Sequence, residues 1–576
     1  SVELMKGLKY KLNLTPDFQF YRYNSYEGLF DFGLAKHDIT AVTEQQTRTR
    51  NILVENLLTF DRTFGDHKVS ALVGYTYQDS RYRYMQGSGQ GMPTGITEID
   101  AASQGLAVSG NSSRSVLTSI LGRAFYSYKN RYLLTATIRR DGSSKFGSNY
   151  RYGNFPSVSV GWNIAEEDFV KNSVSWLDQL KLRGGYGVLG NQEIDNYQYV
   201  SVVTTGINYP DGKSGLIQGA FPKTFANPDI KWEETAMTNV GIDFMALRNR
   251  LTLTADWYVK NTKDILLNVP IPISTGGAND PIRNAGKIRN QGFEFNLGWN
   301  ESLNKDLSYG VSFLGTYNKN EMVEMGAESQ VITGGTIHGG TYTSRTLAGY
   351  PIGGFWLIPT DGYFNSTEEV QAHQKDGVLI QPSAEPGDIR FKDTNNDGTI
   401  NDEDRVYCGS PFPKFTYSIN GNITYKNVDF SIGFQGVTGN KIYNATKLEL
   451  TDVTRGTNYL ASTLDYWTPE NQNASSPRLI WTDPNRNARS ESDRYLESGS
   501  YFRLRNLQVS YTLPTVWFHG FVQKARVYVN AENLFTISSY SGYTPDVNSS
   551  DVYSRGFDEF IYPSNRTFMF GLNVTF

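Results

Sequence analysis

Cysteine is nearly absent. Cys408 is the one thiol among 576 residues, which excludes a disulfide framework and any cysteine-based zinc site. Histidine is almost as scarce: His37, His67, His338, His373 and His519 are scattered, with no HxxH or HExxH spacing. Charge is thin, with 19% Asp, Glu, Lys and Arg where ordinary soluble domains carry ~25%. The 54 basic and 58 acidic residues leave a net −4, and no basic stripe points to nucleic acid. No unbroken apolar run exceeds the four residues of Phe355-Trp356-Leu357-Ile358. A membrane-crossing helix needs ~20 predominantly apolar residues, so helical spans are excluded. A membrane is not, because a β-barrel crosses with only alternate residues apolar.

What the chain has in quantity is aromatic residues (Tyr 37, Phe 32, Trp 9), glycine (55) and short polar side chains. They are arranged with period two. From Phe415 to Tyr425 the odd positions read Phe, Tyr, Ile, Gly, Ile, Tyr, and the even ones Thr, Ser, Asn, Asn, Thr. Successive strand side chains point to opposite faces, so such a segment has one apolar and one polar face. Val428, Phe430, Ile432 and Phe434 repeat the pattern after Lys426-Asn427, which is hairpin spacing. Near Asn506 the phase slips, and one extra residue there predicts a β-bulge.

Counted this way, the sequence predicts roughly sixteen strands, with boundaries good to about ±2–4 residues. They fall at 7–24, 47–63, 68–84, 115–128, 131–141, 154–166, 179–189, 232–247, 250–262, 287–300, 306–319, 412–426, 427–440, 499–513, 524–536 and 566–576. Short links alternate with long ones, among them 85–114, 190–231, 320–411, 441–498 and 537–565. Tight turns on one side and long loops on the other are the pattern of outer-membrane barrels. The expected fold class is therefore all-β, a transmembrane antiparallel barrel. The last strand sets Phe568, Phe570, Leu572, Val574 and Phe576 against Met569, Gly571, Asn573 and Thr575. The opening Ser1-Val2-Glu3-Leu4 lies inside a patterned segment, so the expectation is a mature chain or one that starts inside a longer protein.

Three loop features invite a functional reading. Asp393, Asn395, Asp397, Thr399 and Asp404 occupy positions 1, 3, 5, 7 and 12 of a calcium-type loop, with Gly398 at the sharp turn. They predict one structural Ca²⁺, with an Asx/Gly turn free of metal as the alternative. Thr333–Gly340 is glycine-rich but lacks the Lys-Ser/Thr of a phosphate loop, so it reads as a plain loop. Tyr342, Tyr350, Phe355, Trp356, Tyr363, Tyr466, Trp467 and Trp481 sit in the long loops. Aromatic faces stack on sugar rings or peptide side chains, so Tyr342, Tyr350, Phe355, Trp356, Tyr466 and Trp467 are candidate ligand contacts, against loop packing as the alternative.

A series of motifs then carries a family resemblance. Asp141-Gly-Ser-Ser-Lys-Phe-Gly147, Gly153-Asn-Phe-Pro-Ser-Val-Ser-Val-Gly-Trp162 and Leu182-Arg-Gly-Gly-Tyr-Gly-Val-Leu-Gly-Asn191 come first. Asn227-Pro-Asp-Ile-Lys-Trp-Glu233, Asn261-Thr-Lys-Asp-Ile-Leu266, Asn290-Gln-Gly-Phe-Glu294, Gly387-Asp-Ile-Arg-Phe-Lys-Asp393, Gly409-Ser-Pro-Phe-Pro-Lys414 and Asn530-Ala-Glu-Asn-Leu-Phe535 follow in order. Together they resemble the SusC-like TonB-dependent transporters of Bacteroidetes outer membranes. The resemblance implies a plugged barrel of about 22 strands. The sixteen predicted here would then be its C-terminal portion, spanning 1–576. It further implies active import of an oligosaccharide or peptide and no catalytic residue. The implied partners are a SusD-like surface lipoprotein, TonB acting through an N-terminal plug outside this chain, the remaining barrel strands, outer-membrane lipid, and a dimer of the transporter–lipoprotein pair. No organic cofactor and no nucleic acid are expected. The rivals are a passive porin or adhesin and an outer-membrane hydrolase.

Overall fold

The computed structural model describes residues 1–576 apart from Leu34, Lys213, Ser214, Lys223, Thr224, Pro270, Pro272, Ile273, 275–280, 327–330, 338–340, His519, Gly520, Asn548 and Ser550. His338 and His519 thus lie outside the described residues. The structure is all-β. Its longest helix among the described residues, Ala445–Thr451, has 7 residues, and no described helix is long and apolar enough to cross a membrane. The chain forms two compact units. The first holds residues 1–166, 183–238 and 262–285, the second 167–182, 239–261 and 286–576.

In the first unit, seven strands pair antiparallel in chain order: Val2–Met5, Leu8–Glu27, Ala41–Phe64, His67–Gln90, Gln104–Tyr128, Tyr132–Ser143 and Tyr152–Asn163. Six were expected. The additional strand, Val2–Met5, is joined by Lys6-Gly7 to the strand that follows it. This short link before a long loop extends the alternation of link lengths toward the start of the chain. Three strands also run beyond their expected ends. The spans Ala41–Phe64, His67–Gln90 and Gln104–Tyr128 hold 24, 24 and 25 residues. At ~3.4 Å per residue the longest reaches roughly 85 Å, whereas a tilted membrane crossing needs only about 9–11 residues.

The second unit repeats the design with Lys287–Ser302, Leu307–Glu324, Phe415–Tyr425, Val428–Thr438, Tyr501–Leu513, Lys524–Ser538 and Thr567–Thr575. Register places Ile423 against Phe430, Phe430 against Val509, Val509 against Val529 and Val529 against Phe570. Directly paired residues share a face, so these side chains make one apolar row across five strands. That row is exposed: Val509 is 46% and Phe570 80% accessible. Exposed apolar patches of this continuity do not persist in water, which argues for a lipid-facing surface. The expected bulge is present. Gly433 pairs with Asn506 and Phe434 with Leu504, which leaves Arg505 unpaired and restores the apolar phase beyond it. The Lys426-Asn427 link is a two-residue turn closed by the Tyr425–Val428 pair.

The remaining expected strands are Leu177–Asn191, Glu233–Ala246 and Leu251–Lys263. An arginine in the apolar row tests which solvent this face meets. Val509→Arg is expected to cost about 2–4 kcal/mol of stability in vesicles, measured by urea unfolding. A change within about 0.5 kcal/mol, the usual effect of a substitution facing water, would contradict a lipid-facing surface.

Candidate functional site

Five of the motifs that carry the family resemblance, those from Asp141 to Leu266, come together in the first unit. Phe146, Phe155, Ile194, Ile230 and Trp232 form one buried cluster. The Trp232 ring stands 5.1 Å from Phe146 and edge-on to Phe155 at 5.3 Å, and its indole N–H donates to the Arg151 carbonyl at 3.2 Å. Gly190 lies against Phe155 so closely that a Cβ there would fall 2.1 Å from the ring. Asn284 accepts from the Lys231 N–H and donates to the Lys231 and Asp264 carbonyls. Glu233 accepts from the Leu266 N–H and the Asn191 amide. These motif residues are packing and loop-anchoring parts, and their role is to hold connections between strands.

In the second unit the long loops are not open strings. Ile332–Ile337, Thr341–Thr346, Gly354–Leu357 and Val406–Gly409 form a four-stranded sheet. Lys441–Asn444 pairs with Leu496–Ser498 on one side and Phe557–Asp558 on the other. One core of Ile337, Phe355, Leu357, Tyr443, Leu448 and Tyr495 serves all of them. The described part of the glycine-rich stretch, expected to be a loop, is therefore strand. Thr333 pairs with Arg345 and Gly334 with Ser344. The last three residues of that stretch, 338–340, lie outside the described set.

The expected aromatic contacts divide by burial. Phe355 is wholly buried in the loop core, and Trp467 is buried with its indole N–H donating to Asn365 at 3.1 Å. Both are packing residues with no face left for a ligand, because the loops carry a hydrophobic core of their own. Tyr342, Tyr350, Tyr466 and Trp481 are exposed. Tyr350 and Trp356 meet edge-on at 4.8 Å, and Tyr407, which the sequence did not single out, joins them at 5.2 Å from Tyr350. The three rings pack together, with Tyr350 exposed and Trp356 and Tyr407 half-buried.

A buried ion pair ties the loops together. Asp388 is fully buried and takes a two-pronged bond from Arg478, Nε at 2.6 Å and Nη2 at 2.9 Å. Asn487 and the Glu385 N–H fill its remaining acceptor sites. The pairing raises the Arg478 pKa, chiefly through the hydrogen bond to Asp388. In the acidic loop, Asp393 accepts from the Asp397 and Gly398 N–H groups at 3.1 and 2.7 Å. Asn395 donates to both Asp397 and Glu403. Hydrogen bonds from Asn395 and Thr399 hold the Asp397 carboxyl down at about 2. Asp404 is fully buried, and its two oxygens accept from the Thr394 and Asn401 N–H groups, each at 2.8 Å. Its carboxylate thus serves the backbone, with Asn401 as the other half of a capping box. Among the described residues no group of three or more His, Cys, Asp or Glu side chains gathers as a metal site.

The polar face of the second unit completes the picture. Asn296, Asn300, Ser312, Asn420, Asn422 and Gln435 line a depression of about 670 Å³. Their amides and hydroxyls offer both donors and acceptors, and Arg505 adds one positive charge to the lining.

Strands with one apolar exposed face and one amide-lined face, joined by short links and structured long loops, are the parts of a membrane β-barrel. The chain belongs to the TonB-dependent receptor-like β-barrel family, whose model matches residues 3–534. Within that family the chain is SusC-like. It is 32% identical over 549 residues to TonB-dependent receptor P3 of Formosa agariphila, covering 93% of this chain and 53% of that protein. It is 31% identical over 477 residues to TonB-dependent receptor SusC of Bacteroides thetaiotaomicron, covering 80% of this chain and 44% of SusC. The chain spans about half the length of the curated relatives it matches. In fold it resembles the RagAB peptide transporter, with a TM-score of 0.84 at 23% identity, over 100% of this chain and 61% of that one. Both relatives are named as TonB-dependent receptors, not as enzymes, and no residue here is assigned a catalytic role.

Removing Asp388 tests the loop body directly. Asp388→Ala leaves the largely buried Arg478 without its main counter-charge, which costs about 3–5 kcal/mol where a buried pair is broken from one side. Hydrogen exchange at Ile389 and Asn487 is expected to accelerate, while the Val509–Val529 strand pair keeps its protection.

Proposed function

We propose that this chain is the C-terminal barrel portion of an outer-membrane importer that takes up a polar nutrient, an oligosaccharide or a peptide, by TonB-dependent transport. The observation that carries the reading is the opposite character of the two strand faces: an exposed apolar row on one, and on the other a polar lining rich in Asn, Ser and Gln with Arg505 among them. A lipid-embedded wall needs the first, and passage of a hydrated solute needs the second. Transport makes and breaks no covalent bond. Energy enters through TonB acting on a plug that lies outside this chain. A SusD-like surface lipoprotein captures the solute on the long-loop side. Its docking surface is the loop body of the second unit, where Tyr350 is exposed and Trp356 and Tyr407 lie half-buried beside it. That SusC is a TonB-dependent receptor and RagAB a peptide transporter supports this reading.

A structural Ca²⁺ in the acidic loop is part of the proposal. Asp393, Asn395, Asp397 and the Thr399 carbonyl would hold it, while Asp404 stays on its two amides. Adding calcium is then expected to protect the 393–404 segment from proteolysis, and chelation to expose it. Equal cleavage under both conditions would leave the segment a metal-free Asx turn.

Uptake distinguishes the importer from a passive pore. In cells that depend on this protein for a labelled oligosaccharide or peptide, loss of TonB is expected to abolish accumulation above the external concentration. Loss of the partner lipoprotein is expected to raise the half-saturating concentration. Uptake unchanged by the loss of TonB would establish a porin instead.

A further inference from the structure

One wall of the first unit carries a concentration of arginine that neither the fold nor transport explains. Register sets Phe18 opposite Arg50, Arg50 opposite Arg81 and Arg81 opposite Arg114. One step along, Phe20 lies opposite Arg48, and Arg48 opposite Arg83. Directly paired residues share a face, and this face also carries Val54, Val73, Tyr75 and Tyr77, the exposed apolar side. The arginines therefore lie on the lipid-facing side, at the long-loop end of the apolar belt.

Three of the five share a single carboxylate. Asp79, 6% exposed, receives Arg114 Nε at 2.9 Å, Arg50 Nη2 at 3.3 Å and Arg81 Nε at 3.3 Å. Arg48 lies over the Phe20 ring at 5.4 Å, and Arg83 forms no ion pair among the described residues. Like charges directly opposed across strands destabilise a sheet. Two such rows side by side, with one shared counter-ion, leave a strong positive excess at the edge of an apolar surface. The Nε of Arg50 is buried without a partner. The guanidiniums converge on a depression of about 990 Å³, and a neighbouring one of about 540 Å³ shares Arg48 and Arg83 with it and is floored by Phe20.

We infer that this arginine cluster binds the phosphate of a lipid headgroup in the leaflet on the long-loop side. The planar guanidinium fork suits phosphate oxygens in paired hydrogen bonds, which a surface lysine does not match. A phosphate here neutralises the excess charge that Asp79 leaves, and Phe20 and the apolar row below receive the carbon chains of the same molecule. Both adjoining pockets set arginines beside apolar side chains, Phe20, Tyr21 and Met85 in the smaller one, which fits an amphiphile better than a free anion or a polar protein surface. The inference rests on the membrane-embedded reading of the apolar face.

The test places the intact protein in nanodiscs of phosphatidylcholine doped with lipid A or with dephosphorylated lipid A, and measures the lipid retained after repurification. Lipid A is expected to be retained about tenfold over its dephosphorylated form, and R48Q/R83Q to lower that retention about tenfold, as loss of one charge-assisted bond implies. Equal retention of the two lipids, or an unchanged double variant, overturns the inference. Full displacement of lipid A by millimolar inorganic phosphate overturns it in favour of a free-anion site. Because the substitutions relieve like-charge repulsion, the variant is expected to melt no lower than the parent in pure phosphatidylcholine. Should it fail to fold, the parent decides: retention that falls with added salt supports the site, and salt-independent retention overturns it. Failure of the parent to enter phosphatidylcholine nanodiscs at all would instead remove the membrane-embedded reading itself.

Discussion

The structure depends on one constraint: a backbone surrounded by lipid has no water to bond, so every N–H and C=O must find its partner in a neighbouring strand. The antiparallel ladders of both units meet it in chain order, strand against next strand, across short links and long loops alike. Period two follows from the same constraint, since a strand paired along both edges has only its two faces left to differ. One face dissolves in hydrocarbon and the other carries amides and hydroxyls. The bulge at Arg505 shows how strict the rule is, because the extra residue is left out of the ladder so that Leu507, Val509 and Tyr511 return to the apolar side.

Outside the apolar belt the rule lapses and other forces take over. The long loops of the second unit are held by a hydrophobic core and by the buried Asp388–Arg478 pair, whose acceptor sites are filled by Asn487 and a backbone amide. A buried ion pair is stable only when its remaining hydrogen-bonding capacity is met in this way. Asp404, fully buried and bonded to two backbone amides, does the equivalent work at the acidic loop.

The sequence shows the belt and little beyond it. All sixteen strands with alternating faces were legible, because lipid on one side imposes a pattern on every residue. Val2–Met5 was not, being too short to display a period. The outer ends of His67–Gln90 and Gln104–Tyr128 were not, because where both faces meet water alternation has no cause. Aromatic content could not separate Phe355 and Trp467, which pack the loop core, from Tyr350 and Trp356, which meet each other near the surface. The Asp388–Arg478 pair spans 90 residues of chain, and the arginine rows exist only once register is known. Neither leaves a local trace.

The loop core of Phe355, Tyr443 and Phe557 draws its side chains from three separate long connections. Shortening any one of them would strip packing from the other two, so they cannot diverge independently. Change in what such a protein recognises would then proceed by exchange of the whole cap as a block, with the wall beneath retained. A chimera that grafts a single stretch is expected to be tolerated poorly, and one that grafts all three is the workable unit of engineering.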